Sequence, residues 1–336
     1  MNPRTALLLC DRPLPRHRLT SRVSVHVDAG AQARSLLEFD QAPISLGLYP
    51  LVRDHHHRII LTGKGASHFA ALPSWRRLVA AGKAAWWIDT EDLLENPQLV
   101  TSDSLLVATS RSGSGRHVRA LTDGLGRTMR PAAMIAITDD LASPLAVVAD
   151  CEVLLRSGSS GSPKGFLNAL IVHDYVASMI LNEDNDDVSS TARIVATTTL
   201  PAELRELAAG VAAHQESRLA YVGCGEHAAA ALYAALLTNE ATEIPAEGHI
   251  AGQHRRHLVR RANAQLTAVL FGSHRGPNAA LRALAGDLMA AGSNVVVVGG
   301  ADVPGTAYIP SRTGHVGAEV ARNVVVIEHF VSAMVT

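Results

Sequence analysis

The sequence predicts an α/β protein made of two similar halves, each a parallel β-sheet covered by helices on both faces. From Arg58 onward, short runs of apolar and β-branched residues recur, and each is followed by Gly or Ser and then by Ala- and Leu-rich residues at helical spacing. Strands that alternate with helices favour a parallel sheet between two helical layers. The same succession returns in the second half, which indicates a duplication.

The predicted elements follow one another in this order along the chain. Five strands are expected in the first half, at Ile59–Thr62, Ala85–Asp89, Leu105–Thr109, Met134–Thr138 and Val153–Leu155. Four are expected in the second half, at Leu219–Val222, Thr267–Phe271, Asn294–Val298 and Tyr308–Ile309. Helices are expected near Ala31–Glu38, from Arg116, after Lys164, over Ala202–Glu216 and over Glu319–Val335. A polar interval near 185–200 divides an N-terminal arm (1–30) and a first domain (31–185) from a second domain (200–336).

Composition excludes several classes of protein. The 336 residues carry a formal charge of −1, so neither nucleic acid nor an anionic membrane is an expected partner. Three distant cysteines predict neither a disulfide framework nor a zinc knuckle, and a reducing cytoplasm fits best. The apolar run Ala6–Cys10 is too short for a signal peptide, and no stretch reaches membrane-spanning length.

Consecutive residues at His55–His57 point to opposite faces of an extended chain, so we expect no metal site there.

A serine-rich loop, Ser110–Ser114, is the strongest candidate for a binding site. It follows a predicted buried strand and precedes a helix that starts near Arg116. Free backbone N–H groups and the helix dipole attract anions at such a position, and serine hydroxyls can donate to phosphate oxygens. An ordinary capping turn would also be rich in Ser and Gly. The duplicate of this loop, Ser273–Gly276, has lost the serine run.

Two further Ser-bearing turns are predicted at the same edge of the first sheet. One contains Lys64, Gly65 and Ser67, and the other spans Ser157–Ser162 before a helix. The carboxyl ends of parallel strands are where open α/β sheets hold ligands. Neither glycine turn has the spacing of a phosphate loop of nucleotide-binding proteins or of a dinucleotide fingerprint, so a nucleotide cofactor is disfavoured.

These turns, together with Ser162, Lys164 and Phe166 before a long helix, resemble the sugar-isomerase (SIS) family. The resemblance covers roughly residues 30 to 335 and extends to the isomerase half of glucosamine-6-phosphate synthase and its deglycase and deaminase relatives. It implies two tandem SIS domains, each a three-layer, flavodoxin-like α/β/α sandwich. No glutaminase domain and no C-terminal tail with a catalytic lysine are recognised, so glutamine-dependent ammonia transfer is not expected.

The resemblance implies a phosphate site in the first domain. The matching positions are Gly65, Ser67, Ser110, Arg111, Ser112 and Ser162. Two departures affect the substrate: Arg111 stands where the family usually has Gln, and Ser114 with Gly115 stands where it has an acid followed by Thr. Because guanidinium forms a planar fork that suits phosphate or carboxylate, a carboxylated ligand is an alternative to a plain sugar phosphate.

The resemblance places acid–base residues in the second domain. Glu240 matches the glutamate that transfers a proton between adjacent carbons in the family. The ring-opening histidine of the family corresponds to Arg256 in a gap-free alignment and to His257 with one inserted residue, and His254 is a weaker candidate. Against these roles, Glu240 could be a helix-end carboxylate and the basic run could be a solvated face.

The expected function is therefore an isomerase, deaminase or deglycase acting on a phosphorylated keto- or amino-sugar. The resemblance implies no metal or other cofactor and a site completed across a homodimer interface. The alternative is a non-catalytic phosphosugar sensor, motivated by the altered histidine segment, the missing tail and Gly115. A partner-binding scaffold would leave the serine-rich turns unexplained.

Overall fold

Two five-stranded sheets, in which every strand is parallel to its neighbours, form the framework of the protein. The computed structural model describes residues 25, 27–41, 51–52, 56–158, 164–183, 188–251, 255–273, 278–311, 313 and 315–335. The first sheet contains β1 (Arg58–Gly63), β2 (Ala85–Asp89), β3 (Ser104–Thr109), β4 (Ala133–Thr138) and β5 (Cys151–Leu154). The second contains β6 (Arg218–Gly223), β7 (Ala246–Ile250), β8 (Leu266–Gly272), β9 (Asn294–Gly299) and β10 (Ala307–Ile309).

Helices connect the strands and cover both sheets. Those of the first half are α1 (Ala29–Gln41), α2 (Ala66–Ala70), α3 (Leu72–Ala80), α4 (Thr90–Glu95), α5 (Arg116–Gly124), α6 (Pro144–Val147), α7 (Lys164–Leu181) and α8 (Val188–Thr197). Those of the second half are α9 (Ala202–Ala213), α10 (Ala228–Ala241), α11 (Arg255–Arg261), α12 (Ala279–Ala290) and α13 (Val316–Val335). Two short 3-10 helices lie at Pro97–Leu99 and Gly225–His227. No described helix is long and apolar enough to cross a membrane.

The two sheets have the same strand order. The first runs β2-β1-β3-β4-β5, and the second runs β7-β6-β8-β9-β10 from its corresponding edge, so both follow the flavodoxin-like order 2-1-3-4-5. In this order the chain leaves the first strand toward one edge and continues from the third strand toward the other. A crevice therefore opens at the carboxyl ends of β1 and β3, where ligands bind in such sheets.

The α/β fold class predicted from the sequence is confirmed, and all nine predicted strands are present. One strand, β7 (Ala246–Ile250), was not predicted from the sequence; among the described strands it pairs with β6 alone, at the edge of the second sheet. Its sequence, Ala-Glu-Gly-His-Ile, has few residues with high strand propensity and lacks the apolar run of a central strand. The same residues begin the segment that the family resemblance associates with acid–base groups. Most of the predicted N-terminal arm, residues 1–30, lies outside the described residues, and the predicted domain limits stay a prediction.

Helices from both halves share one hydrophobic core. Buried residues of β1 and β3 belong to the same cluster as those of α10 and α13, which carries an almost uninterrupted apolar sequence. α13 contacts α7 and α8 of the first half as well as α9 and α10 of the second. This shared core holds α10 beside the first sheet, so residues from the second half can reach the crevice at β1 and β3.

Candidate functional site

A cavity of about 580 Å³ lies at the crevice between β1 and β3. Its lining combines the turn after β1, the serine-rich loop after β3, the first turns of α7 and one face of α10. A cavity of this size is in the range that holds small-molecule ligands in proteins. The location is the one that strand order alone assigns to a ligand in this class of sheet.

The turn after β1 is shaped by two glycines. A Cβ atom on Gly63 would lie 2.9 Å from the backbone nitrogen of His68, so the turn folds back closely onto α2. Gly65 has φ +56°, a left-handed conformation that other residues rarely adopt. These two glycines place Lys64 and Ser67 at the cavity.

The loop after β3 is equally constrained. Gly113 has φ +58°, and a Cβ atom there would lie 2.1 Å from the hydroxyl oxygen of Ser143, so only glycine fits. The Gly113 amide donates to the Ser110 carbonyl at 3.1 Å, and the Gly113 carbonyl accepts from the Leu145 amide at 3.1 Å. The loop is therefore anchored to the start of α6 before any ligand is present.

Residues at the end of β4 form hydrogen bonds with the same loop. The Arg111 carbonyl accepts from the Asp139 amide at 2.9 Å and from the Thr138 hydroxyl at 3.1 Å. The Asp139 carboxylate accepts hydrogen bonds from the amide of Ser157, at 2.9 Å, and from its hydroxyl. Asp139 thus links the second and third Ser-bearing turns, and its neighbours fix the backbone on which Ser110, Arg111 and Ser112 stand.

Positive charge and hydroxyl groups without partners face the cavity. Among the described residues, nothing forms a hydrogen bond or ion pair with the Arg111 guanidinium or with the hydroxyls of Ser67 and Ser110. Lys64, by contrast, forms an ion pair with Glu91 and lies 3.2 Å from Nε2 of His117. Half-buried polar groups that lack protein partners are suited to receive an anion. Of the two cations in the described lining, Lys64 and Arg111, the Arg111 guanidinium is therefore the one available to an anion.

One face of α10 forms the opposite wall of the cavity. Tyr233, Leu236, Leu237 and Glu240 are spaced i, i+3, i+4 and i+7, which places them on one side of the helix along roughly 10 Å. Desolvation by the surrounding protein raises the pKa of Glu240 above its ordinary value. A carboxylate with a raised pKa is a stronger base and transfers protons more readily near neutral pH.

A buried carboxyl group lies behind this wall. The Tyr233 hydroxyl donates to Oε1 of Glu328 at 3.2 Å, and Oε2 of Glu328 lies 2.6 Å from the Gln32 side-chain amide nitrogen. Burial raises the pKa of Glu328 to about 8, so this carboxyl is protonated at neutral pH. Its proton needs an acceptor, and the buried Gln32 Oε1 has no partner. When the Gln32 amide is rotated by 180°, its Oε1 takes the position of the nitrogen and accepts the hydrogen bond from the protonated Glu328.

Two buried histidines lie directly behind the turns. His68 follows Ser67 and stacks on Trp87 with ring centroids 4.1 Å apart, while Nε2 of His173 lies 2.9 Å from the Thr109 hydroxyl. Burial lowers the pKa of His68 to about 4 and that of His173 to about 3, so both are neutral near pH 7. They pack and hydrogen-bond the turns from within the core.

The structure brings six of the sequence-predicted site residues together around this cavity. They are Gly65, Ser67, Ser110, Arg111, Ser112 and Glu240. Ser162 and the weaker candidate His254 lie outside the described residues. The functional roles of all these residues remain predictions.

Arg256 and His257 do not line this cavity. Both are exposed on α11, and Nε2 of His257 accepts a hydrogen bond from Arg261 at 3.2 Å. Arg261 also forms an ion pair with Glu247 on β7 at 3.1 Å. Within one chain, these two candidates for ring opening therefore stand apart from Glu240. The described residues hold no cluster of His, Cys, Asp and Glu side chains arranged for a metal ion.

Sequence reasoning missed most of the apolar lining, which comprises Val25, Leu155, Ala169, Tyr233, Leu236 and Leu237. A periodicity signal for part of it was available, since Tyr233, Leu236 and Leu237 precede Glu240 at helical spacing. The same spacing fits any helix that packs against a core. Only the position of α10 beside the first sheet shows that this face borders a cavity.

Comparison with known proteins identifies a SIS domain in the first half, because residues 52–179 match that family. Curated protein sequences give no significant match. Among solved structures, the chain is similar to a candidate phosphosugar isomerase from Silicibacter pomeroyi DSS-3, with 19% identity, a TM-score of 0.74, and coverage of 91% of this chain and 95% of that one.

Two further structures are similar over comparable lengths. The C-terminal domain of glucosamine-fructose-6-phosphate aminotransferase from Francisella tularensis has 14% identity and a TM-score of 0.73, covering 93% of this chain and 94% of that domain. Tagatose-6-phosphate ketose/aldose isomerase from Escherichia coli has 20% identity and a TM-score of 0.71, covering 93% and 90% of the two chains. At these identities the similarity establishes the fold.

Proposed function

We propose that this chain is a phosphosugar enzyme of the isomerase type, built from two SIS domains. The single observation that carries the proposal is that one cavity is lined both by the Ser-bearing turns of the first sheet and by Glu240. The identical strand order of the second sheet supports a second SIS domain, and the similar structures include proteins whose names refer to phosphosugar isomerisation.

In this proposal, the first half holds the phosphate. The hydroxyls of Ser67, Ser110 and Ser112 donate to its oxygens, and the Arg111 guanidinium pairs with its charge. Fixing the phosphate positions the carbon chain of the sugar along α10, which reduces the entropic cost of reaching the reactive geometry. Glu240 then removes a proton from the hydroxyl-bearing carbon beside the carbonyl and returns it to the carbonyl carbon, while the hydroxyl proton passes to the carbonyl oxygen, which interconverts aldose and ketose.

Thermal shift with a panel of hexose phosphates tests binding, and product analysis tests catalysis. A sugar phosphate should raise the melting temperature of the wild-type protein by linkage, and Ser112→Ala should reduce that rise. Glu240→Gln should keep the thermal shift and lose product formation. If no sugar phosphate stabilises the protein and Ser112→Ala changes nothing, the phosphate site is refuted.

A second candidate function is a phosphosugar sensor without catalysis. It is favoured by one observation: Glu240 is the sole carboxyl group in the described lining, and both Arg256 and His257 lie elsewhere. Binding without turnover, with wild type and Glu240→Gln equally inert, would establish the sensor function.

We also propose that the active form is a cytoplasmic homodimer in which a second copy supplies His257 or Arg256 to the cavity. Sedimentation measures the mass of the assembly. Mixing Glu240→Gln with His257→Ala chains tests complementation, because a mixed dimer would retain one intact site. A monomer at working concentration would refute this arrangement.

A further inference from the structure

A second cavity of about 500 Å³, the amino-end cavity, lies at the opposite ends of β1 and β3 from the cavity that Glu240 lines. Its lining comes from the residues that precede β1 and β2, from the first residues of β1 and β3, and from the last turn of α7. The two cavities share no described lining residue. A cavity of this size can hold a small ligand, so it is a separate candidate binding site.

Basic side chains supply the charged part of this lining. Lys83 precedes β2, His56 and His57 precede β1, and the described lining contains no acidic side chain. Nε2 of His56 lies 2.6 Å from the Leu51 carbonyl oxygen, which fixes that ring. Among the described residues, none forms a hydrogen bond or an ion pair with the Lys83 ammonium. The Lys83 ammonium is therefore available to an anion from solution.

Two acidic residues beside this lining are engaged with other groups. Glu183, directly after α7, forms an ion pair with Arg77 on α3. The Asp103 carbonyl accepts from the His57 amide at 3.1 Å, whereas the Asp103 carboxylate accepts from the Thr101 hydroxyl. Because Asp103 is next to His57 and neither acid pairs with Lys83, the lysine is the main anchor for an anionic ligand.

The last turn of α7 supplies an apolar surface that a ligand can contact. Met179, Ile180 and Leu181 line the cavity and are partly exposed. The helix ends directly after them, where Asn182 adopts a left-handed φ of +54°. Carbonyl groups at the end of a helix carry partial negative charge, which disfavours an anion against this turn. A matching ligand therefore has its anionic group at Lys83 and an apolar body against the end of α7.

We propose that the amino-end cavity binds a small organic acid, with its carboxylate paired to Lys83 and its apolar body packed on Met179, Ile180 and Leu181. A sugar phosphate matches this lining less well, because its hydroxyl groups would lose water against the apolar side chains without gaining hydrogen bonds. The inference is independent of the proposed function, since the two cavities lie at opposite ends of the strands.

Calorimetric titration with octanoate, hexanoate and octanamide tests the chemical class of the ligand. Each buried methylene group strengthens binding roughly fourfold, so octanoate, with two more methylene groups, should bind about tenfold more tightly than hexanoate. Octanamide has the same apolar body without the charge, and it should bind at least about tenfold more weakly than octanoate. Equal affinities of octanoate and octanamide, or no binding of octanoate, would overturn the inference while leaving the proposed function untouched.

Variants of Lys83 locate the carboxylate. Lys83→Gln should weaken octanoate binding about tenfold, whereas Lys83→Arg keeps the charge and should retain most of the affinity. Arg127→Gln removes an exposed cation outside the described lining and should leave octanoate binding unchanged. An octanoate affinity that is unaltered in Lys83→Gln would contradict the pairing. Loss of inorganic phosphate binding in the same variant would contradict the separation of the two sites.

A matched pair of methionine variants locates the apolar body. Met179→Gln preserves side-chain length and helix propensity, and it should reduce the ratio of octanoate to hexanoate affinity to about fourfold or less. Met289→Gln makes the same change at a half-buried position on α12, outside the described lining, and should leave that ratio unchanged. Because the ratio is taken within each variant, a general loss of affinity does not alter it. A ratio that stays near the wild-type value in Met179→Gln would refute the placement against the end of α7.

Discussion

The protonated Glu328 makes the stability of the fold depend on pH in a direction that Glu328→Gln should remove. Burial raises the pKa of this carboxyl from 4.5 to about 8, so the folded chain keeps a proton that the unfolded chain releases. For an acid with a raised folded pKa, stability is unaffected below about pH 4.5, falls as pH rises from 4.5 to 8, and is level above 8. Glutamine is neutral throughout, so the variant carries no such dependence.

The magnitude follows from the distance between the two pKa values. At pH 7, retaining the proton costs the wild type about 3 kcal/mol relative to pH 4. With an unfolding entropy of roughly 0.7 kcal/mol/K for 336 residues, this free energy corresponds to a decrease of about 4 °C in the melting temperature of the wild type. The glutamine introduced by Glu328→Gln would still accept from the Tyr233 hydroxyl and donate to the rotated Gln32 amide, so the hydrogen bonds are preserved. The difference in melting temperature should therefore grow in favour of the variant between pH 5 and pH 8.

Differential scanning calorimetry of wild type and Glu328→Gln at several values between pH 5 and pH 8.5 measures this difference. The two proteins should melt within about 1 °C of each other at pH 5. Glu206→Gln, an exposed change on α9, is the control and should give no such trend. A constant difference across the range, or a variant that is less stable at pH 8 than at pH 5 relative to wild type, would show that Glu328 is ionised in the folded protein and refute the reasoning.

Three further predictions concern the cavity. Arg111→Ala should weaken inorganic phosphate binding roughly tenfold to hundredfold in calorimetric titration, since it removes a charge-assisted contact; an unchanged affinity would exclude Arg111 from the anion site. Gly113→Ala should lower the melting temperature and phosphate affinity, because its Cβ atom would collide with Ser143, whereas Gly115→Ala meets open space and should change neither. Because desolvation raises the pKa of Glu240, turnover should decline on acidification from a higher pH than for a glutamate with its ordinary pKa. A pH–rate profile without that acidic decline would argue against Glu240 as the base.

The sequence alone predicted the fold class and the turns that form one side of the candidate site. Glycines and serines at the ends of Ile59–Thr62 and Leu105–Thr109 are local signals, and the edge at which parallel strands end follows from topology. The turns therefore could be predicted as neighbours. The edge strand β7 was missed because its five residues carry no strong strand signal.

Only the tertiary structure decided what faces those turns. Glu240 is separated from Ser110 by more than a hundred residues, and it reaches the cavity because α10 and α13 share a core with the first sheet. The same packing makes Tyr233 and Leu237 part of a cavity wall and buries Glu328 where its pKa rises. Local pattern fixes which residues form strands, helices and turns, whereas contacts between distant segments set burial and charge. In this protein the Ser-bearing turns could be predicted from local pattern, whereas the environment of Glu240 depends on contacts between distant segments.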